Sequence, residues 1–134
     1  MIGFICGAFD LLHPGHLYTL KECRTRCDYL IVGLQVNPKV DRKDKNKPVE
    51  TIFERWYRLK ACKYVDEIVP YETEEDLLNL LKTLRIDTRF NGDDHAGKDK
   101  PSERDLVCQS LGIEIIYIPR QHTWSTSNLR KRII

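Results

Sequence analysis

No apolar run in this 134-residue chain approaches the roughly 18–20 residues that cross a bilayer as a helix. Neither sign of charge dominates. The 22 Lys and Arg stand against 20 Asp and Glu, a formal net charge of +2, which argues against a dedicated nucleic-acid binder. The opening MIGFICG lacks the basic stretch and long apolar core of a signal peptide, which predicts a cytoplasmic protein. GxGxxG is missing, as are GxxxxGKS and GxxxxGKT. The dinucleotide-binding and P-loop ways of holding phosphate are therefore not in use. CxxC and HExxH spacings are missing too, and no carboxylate cage for a metal is visible. The five cysteines (Cys6, Cys23, Cys27, Cys62 and Cys108) are odd in number and match no zinc ribbon, so free, mostly buried thiols are expected. No repeat, low-complexity run or linker divides the chain, and its length suits one domain over residues 1–134.

What remains is a regular alternation. IGFIC (2–6), YLIVGLQV (29–36), DEIVPY (66–71), DTRFN (87–91) and IEIIYIP (113–119) read as strands. Helical periodicity fills the gaps. Leu17, Leu20, Cys23 and Cys27 share one face of the first helix. Ile52, Phe53, Trp56, Leu59 and Lys60 do so within a helix read over 51–65, and Leu77, Leu78, Leu81 and Leu84 in a third. The third is acidic at its start and basic at its end, as the helix dipole favours. Ser102 and Gly112 bracket a fourth as N-cap and C-terminal glycine, and STS at 125–127 opens a fifth. Strand and helix in strict alternation predict an α/β fold: a Rossmann-like parallel sheet with helices on both faces. Ligands of such sheets sit at the carboxyl ends of the strands, near a reversal of strand order. The polar stretch Asn37 to Glu50 reads as a long loop.

GAFDLLHPGH (7–16) follows the first strand immediately. Pro14 suits the first position of a helix, where its missing N–H has no partner to lose. His13 and His16 then flank the first turn on one side, and Gly15 lets a ligand approach the backbone. A helix amino end attracts anions, and two imidazole donors extend that attraction toward a polyphosphate. Two histidines that merely cap a helix are the plain alternative.

GAFDLLHPGH resembles the HxGH signature of the nucleotidyltransferase superfamily. The whole chain is most similar to its cytidylyltransferases, the bacterial glycerol-3-phosphate cytidylyltransferases in particular. DYLIVGL, ERWYRLKACKYVDEIVPY, NGDDHAGK and IPRQHTWSTSNLRKRI match further segments in order. The resemblance implies the HxGH nucleotidyltransferase fold and transfer of CMP from CTP, with Mg2+, onto a small phosphomonoester. Glycerol 3-phosphate is the leading acceptor, and a homodimer is implied. A phosphomonoester has a second pKa of about 6 and is already an anionic nucleophile at pH 7. The site therefore needs cations and donors rather than a base. His13, His16, Lys47 and Arg120 are implied as catalytic. Gly7, Ala8, Phe9, Asp94, Ser125, Thr126 and Ser127 are implied as nucleotide-binding with His13, His16 and Arg120. Asp10, Arg55 and Lys63 are implied for the acceptor. Lys43 and Lys45 are alternatives to Lys47. Asp10 and the STS hydroxyls also read as structural groups, a turn bond and ordinary caps. QHTW at 121–124 departs from the family's pattern, as does Ala8 in place of threonine, which leaves other phosphorylated alcohols, sugars or amino-acid derivatives open as acceptors. An adenylyltransferase using ATP and a non-catalytic nucleotide binder are the rival readings.

Overall fold

The elements of the computed structural model follow the chain as β1 (Ile2–Gly7), α1 (Pro14–Thr25), β2 (Tyr29–Gln35), α2 (Ile52–Lys60), β3 (Glu67–Tyr71), α3 (Glu74–Thr83), β4 (Thr88–Gly92), α4 (Glu103–Leu111), β5 (Glu114–Ile118) and α5 (Thr126–Ile133). Residues 1–39, 47–92, 101–119 and 126–133 are described. All five strands are parallel, in the order β3-β2-β1-β4-β5. The order runs one way from β1 to β3 and the other way through β4 and β5. The reversal lies between β1 and β4, and beyond the strand ends at such a reversal is where sheets of this kind bind their ligands.

The expected parallel sheet with helices on both faces is found, and the two-residue period of the strands builds two cores. Leu30, Val32 and Leu34 of β2 join Ile5 of β1, Leu20 and Cys23 of α1, and Leu59 of α2. Ile31, one residue out of phase, joins Phe4 of β1, Leu77, Leu78 and Leu81 of α3, and Cys108 of α4. Helices α1 and α2 thus cover one face, α3 and α4 the other. Phe4, Leu20, Leu30, Leu34 and Leu59 are wholly buried, and burying each such side chain contributes about 1.5–3 kcal/mol.

Helix starts follow local chemistry. Thr51, Thr73 and Ser102 each accept from the backbone N–H three residues on, and Glu54, Asp76 and Asp105 reach back to complete capping boxes. Gly112, at φ 73°, ends α4 in the left-handed region. Three stripe residues go elsewhere: Leu17 is 38% exposed, Phe53 64% exposed, and Lys60 is exposed as well. Helix α2 stops at Lys60, five residues before the expected end. Its continuation is overruled by pairing at the start of β2. There the Asp66 N–H donates to the Leu30 carbonyl at 3.0 Å, and the Asp66 carboxylate accepts from the Leu30 N–H at 2.8 Å and pairs with Arg24 at 2.9 Å. All five cysteines are free: Cys23, Cys27 and Cys108 are buried, Cys6 and Cys62 half-buried. Burial pushes the Cys23 thiol up to about 12.

Candidate functional site

Strand β1 delivers the chain to the reversal at Gly7, and α1 begins at Pro14. The six residues between form a tight turn in which Phe9 (φ 49°) and Leu11 (φ 50°) are left-handed. For residues with a Cβ this costs about 1–2 kcal/mol each, and it persists only where the surroundings enforce it. A Cβ at Gly7 would come within 3.3 Å of the Phe9 ring, so glycine there lets the ring fold over the strand end. The Phe9 ring in turn lies 5.4 Å from that of His16.

The two histidines form an unusual capping box. The Nδ1 of His13, the N-cap residue, accepts from the Gly15 N–H at 3.0 Å, and the Nδ1 of His16 accepts from the His13 N–H at 3.2 Å. The rings stack with centroids 3.8 Å apart and planes at 24°. A neutral imidazole that accepts at Nδ1 carries its proton on Nε2. One local device therefore caps the helix and fixes both tautomers with Nε2 as donor. Capping and anion binding, alternatives in the sequence, are one arrangement here, because the acceptor nitrogens serve the helix and the donor nitrogens are what a phosphate needs.

Three side chains lock the turn to the end of the long loop and to α2. Asp10 accepts from the Val49 N–H at 2.7 Å and the Glu50 N–H at 3.0 Å. The Glu50 carboxylate accepts from the Leu11 N–H at 2.7 Å and pairs with Arg58 at 2.8 Å. Arg55 is 2% exposed. Its guanidinium donates to the carbonyls of Ala8 at 3.0 Å, Gln35 at 2.6 Å and Glu50 at 3.2 Å, and to that of Val36. Burial lowers the Arg55 pKa against the opposing pull of Asp10 and Glu50. These contacts fasten three segments that converge on the carboxyl ends of β1 and β2.

The expected residues therefore divide. Gly7, Ala8, Phe9, Asp10, His13, His16 and Arg55 come together at the strand ends, and Lys47 lies three residues from Glu50. Asp10 and Arg55, expected at the acceptor, spend these hydrogen bonds on backbone groups. Lys63, also expected there, is carried away. It lies beyond the end of α2, a helix that returns the chain toward the starts of the strands. It stands three residues past Lys60, and its ammonium is 5.4 Å over the Tyr64 ring. Asp94, Arg120 and Ser125 lie outside the described residues, as do Lys43 and Lys45. Thr126 and Ser127 open α5, of which the backbone is described there. Sequence reasoning missed Glu50, because an acid in a polar loop carries no sign of being buried. It missed also the fork of Arg104 across Glu74 (2.6 and 2.7 Å), which joins α4 to α3 on the opposite face. From there Arg104 reaches the Cys6 sulfur at 3.6 Å.

A doubly wound parallel sheet with a donor-bearing helix amino end at its reversal defines a nucleotidyltransferase-like Rossmann fold. A family model described as cytidylyltransferase-like matches residues 4–132, and the chain belongs to that family. It is 34% identical over 132 residues to the bifunctional protein HldE of Nitrobacter hamburgensis, covering 98% of this chain and 26% of that protein. It is 37% identical over 139 residues to an ethanolamine-phosphate cytidylyltransferase of Dictyostelium discoideum, covering 98% and 37%. The chain thus spans about a quarter to somewhat over a third of these relatives. Among solved structures, it resembles a lipopolysaccharide core biosynthesis protein of Thermoplasma volcanium, with a TM-score of 0.72 and 21% identity over 92% of this chain and 98% of that one. Pantothenate synthetase of Thermus thermophilus shares the fold at a TM-score of 0.62 and 13% identity, covering 97% and 64%. Among the described residues no helix is long and apolar enough to cross a membrane.

Proposed function

We propose that the protein transfers CMP from CTP to a small phosphomonoester and releases pyrophosphate. The observation that carries this reading is the stacked histidine pair whose Nδ1 atoms accept backbone N–H groups at the α1 amino end, set at the sheet's reversal. An acceptor phosphate oxygen attacks the α-phosphorus as the bond to the bridging oxygen of pyrophosphate breaks. Charge grows on the α-phosphate oxygens and the leaving group, where fixed donors act most strongly. His13 and His16 donate to the triphosphate. Gly7, Ala8 and Phe9 line the cleft by backbone, and Asp94 contacts the nucleotide. Arg120 offers a planar fork to phosphate, the Ser125 to Ser127 helix start its N–H groups, and Lys47 a further cation. Mg2+ would come with CTP and would screen its triphosphate, since the carboxylates at the described turn, Asp10 and Glu50, already accept from backbone N–H groups.

Glycerol 3-phosphate is the leading acceptor from the sequence resemblance, and the ethanolamine-phosphate relative puts phosphoethanolamine beside it. The reading includes a homodimer, which light scattering measures directly. The deciding experiment is pyrophosphate release with CTP or ATP, Mg2+ and a panel of phosphoalcohols and sugar phosphates. Turnover with CTP and one acceptor is expected. Turnover with ATP alone makes the protein an adenylyltransferase, and none with either nucleotide refutes transfer.

A further inference from the structure

We propose that Glu50 is a positioning residue that sets the histidine pair and the lysine-bearing segment at a fixed separation, an inference that rests on the transfer reading above. Glu50 is 7% exposed, and every polar part of it is engaged. One carboxylate oxygen takes the Leu11 N–H at 2.7 Å, the other pairs with Arg58 at 2.8 Å. Its own N–H goes to Asp10 at 3.0 Å, and its carbonyl accepts from Arg55 at 3.2 Å. Leu11 is one of the two left-handed residues of the turn and stands two residues before His13. The carboxylate therefore grips the turn where it is strained and where its direction decides how the histidines face the crevice.

The same residue fixes the loop. Three residues of chain reach at most about 10 Å, so Lys47 is tethered within that distance of a backbone held by Asp10 and Arg55. Arg58 acts from the solvent side: it is 54% exposed on its side chain, while that of Glu50 is 6% exposed. A phosphate chain bridging histidines and lysine needs both at one spacing, and misplacing a reacting group by about 1 Å costs up to about a hundredfold in rate. Glu50 touches none of the reacting atoms; it acts through Leu11 and the backbone of residues 49 and 50.

The test compares Glu50→Ala, Glu50→Gln and Arg58→Ala with the wild type. Pyrophosphate release is measured with CTP, Mg2+ and glycerol 3-phosphate or phosphoethanolamine, and kcat is normalised to the folded fraction. Glu50→Ala is expected to lower kcat roughly tenfold or more with the KM for CTP changed less than about threefold. Glu50→Gln keeps an acceptor for the Leu11 N–H and restores most of the loss. Arg58→Ala keeps the Leu11 contact, leaves Arg55 as the positive charge beside the Glu50 carboxylate, and lowers kcat about two- to fivefold. Long-range 1H–15N spectra of the unliganded protein give a readout independent of turnover. The His13 and His16 imidazole signals shift in Glu50→Ala and return in Glu50→Gln. If the wild type releases no pyrophosphate on any acceptor, the transfer reading fails, and the imidazole spectra alone decide the positioning of the turn. Folded Glu50→Ala with unshifted imidazole signals overturns the proposal, as does wild-type kcat in that variant. Should Glu50→Ala not fold, unchanged kcat and imidazole signals in Arg58→Ala overturn it instead.

Discussion

Replacing Arg55 by methionine separates two roles that the same arginine could play. As an acceptor ligand, it would leave stability nearly unchanged and raise the acceptor KM when removed. In the folded chain it is instead a buried guanidinium donating to the carbonyls of Ala8, Gln35, Val36 and Glu50, with Asp10 and Glu50 as nearby negative charges. Methionine fills similar volume but donates nothing. Hydrogen bonds to a charged group contribute about 1.5–3 kcal/mol each taken singly, and they are not additive. Removing one partner from a buried charged network costs about 3–5 kcal/mol, and that is the expected loss. Against a total stability of about 5–15 kcal/mol, such a loss leaves the variant marginal. Urea unfolding followed by far-UV circular dichroism should show a midpoint about 2 M lower at an m-value of about 2 kcal/mol per M. Arg55→Lys should recover part of it, because an ammonium reaches some but not all four carbonyls. A midpoint within about 0.5 M of the wild type, together with a raised acceptor KM, would refute the structural role and return Arg55 to the acceptor.

Removing the His16 ring deletes both a donor and half of the capping box; His16→Ala should cost about 10²–10³ in kcat while circular dichroism stays native, and near-normal turnover sinks the assigned role. Lys47→Ala should impair turnover more than Lys43→Ala in the same pyrophosphate assay, and the reverse order moves the catalytic lysine along the loop. Acid should destabilise the protein partly through Asp105. Burial opposes its ionisation, but the Ser102 N–H and Arg89, 2.8 Å away, outweigh this and hold its pKa below the ordinary carboxylate value. A depressed folded pKa means stability fully present above the unfolded value of about 3.9 and lost as pH falls through the folded one. Urea midpoints measured from about pH 5 down to pH 3 should fall less steeply in Asp105→Asn; an unchanged slope contradicts the linkage.

The fold was legible because its determinants are local and periodic. Alternating apolar strands, leucine stripes and the caps Thr51, Thr73 and Ser102 act over a few residues, so their pattern survives in one dimension. The histidine turn was legible for a similar reason: Pro14, Gly15 and the two imidazoles interact within four positions of one another.

Tertiary structure alone decided what depends on pairs far apart in sequence. Helix α2 ends at Lys60 because Asp66 must meet Leu30 and Arg24, a partnership no window of α2 contains. Lys63 shares a motif with Arg55 in one dimension, yet the direction of α2 sends it toward the other end of the sheet. Glu50 looked like one more charge in a polar loop, and becomes a buried hub only when Leu11, 39 residues away, comes to its carboxylate. The sequence by itself determined the sheet, its helices and the donors at the α1 amino end, because short-range sterics and hydrophobic periodicity specify them. Which acids and arginines serve the backbone, and which are left for a ligand, was decided by desolvation and long-range contact, which exist only after the chain has folded.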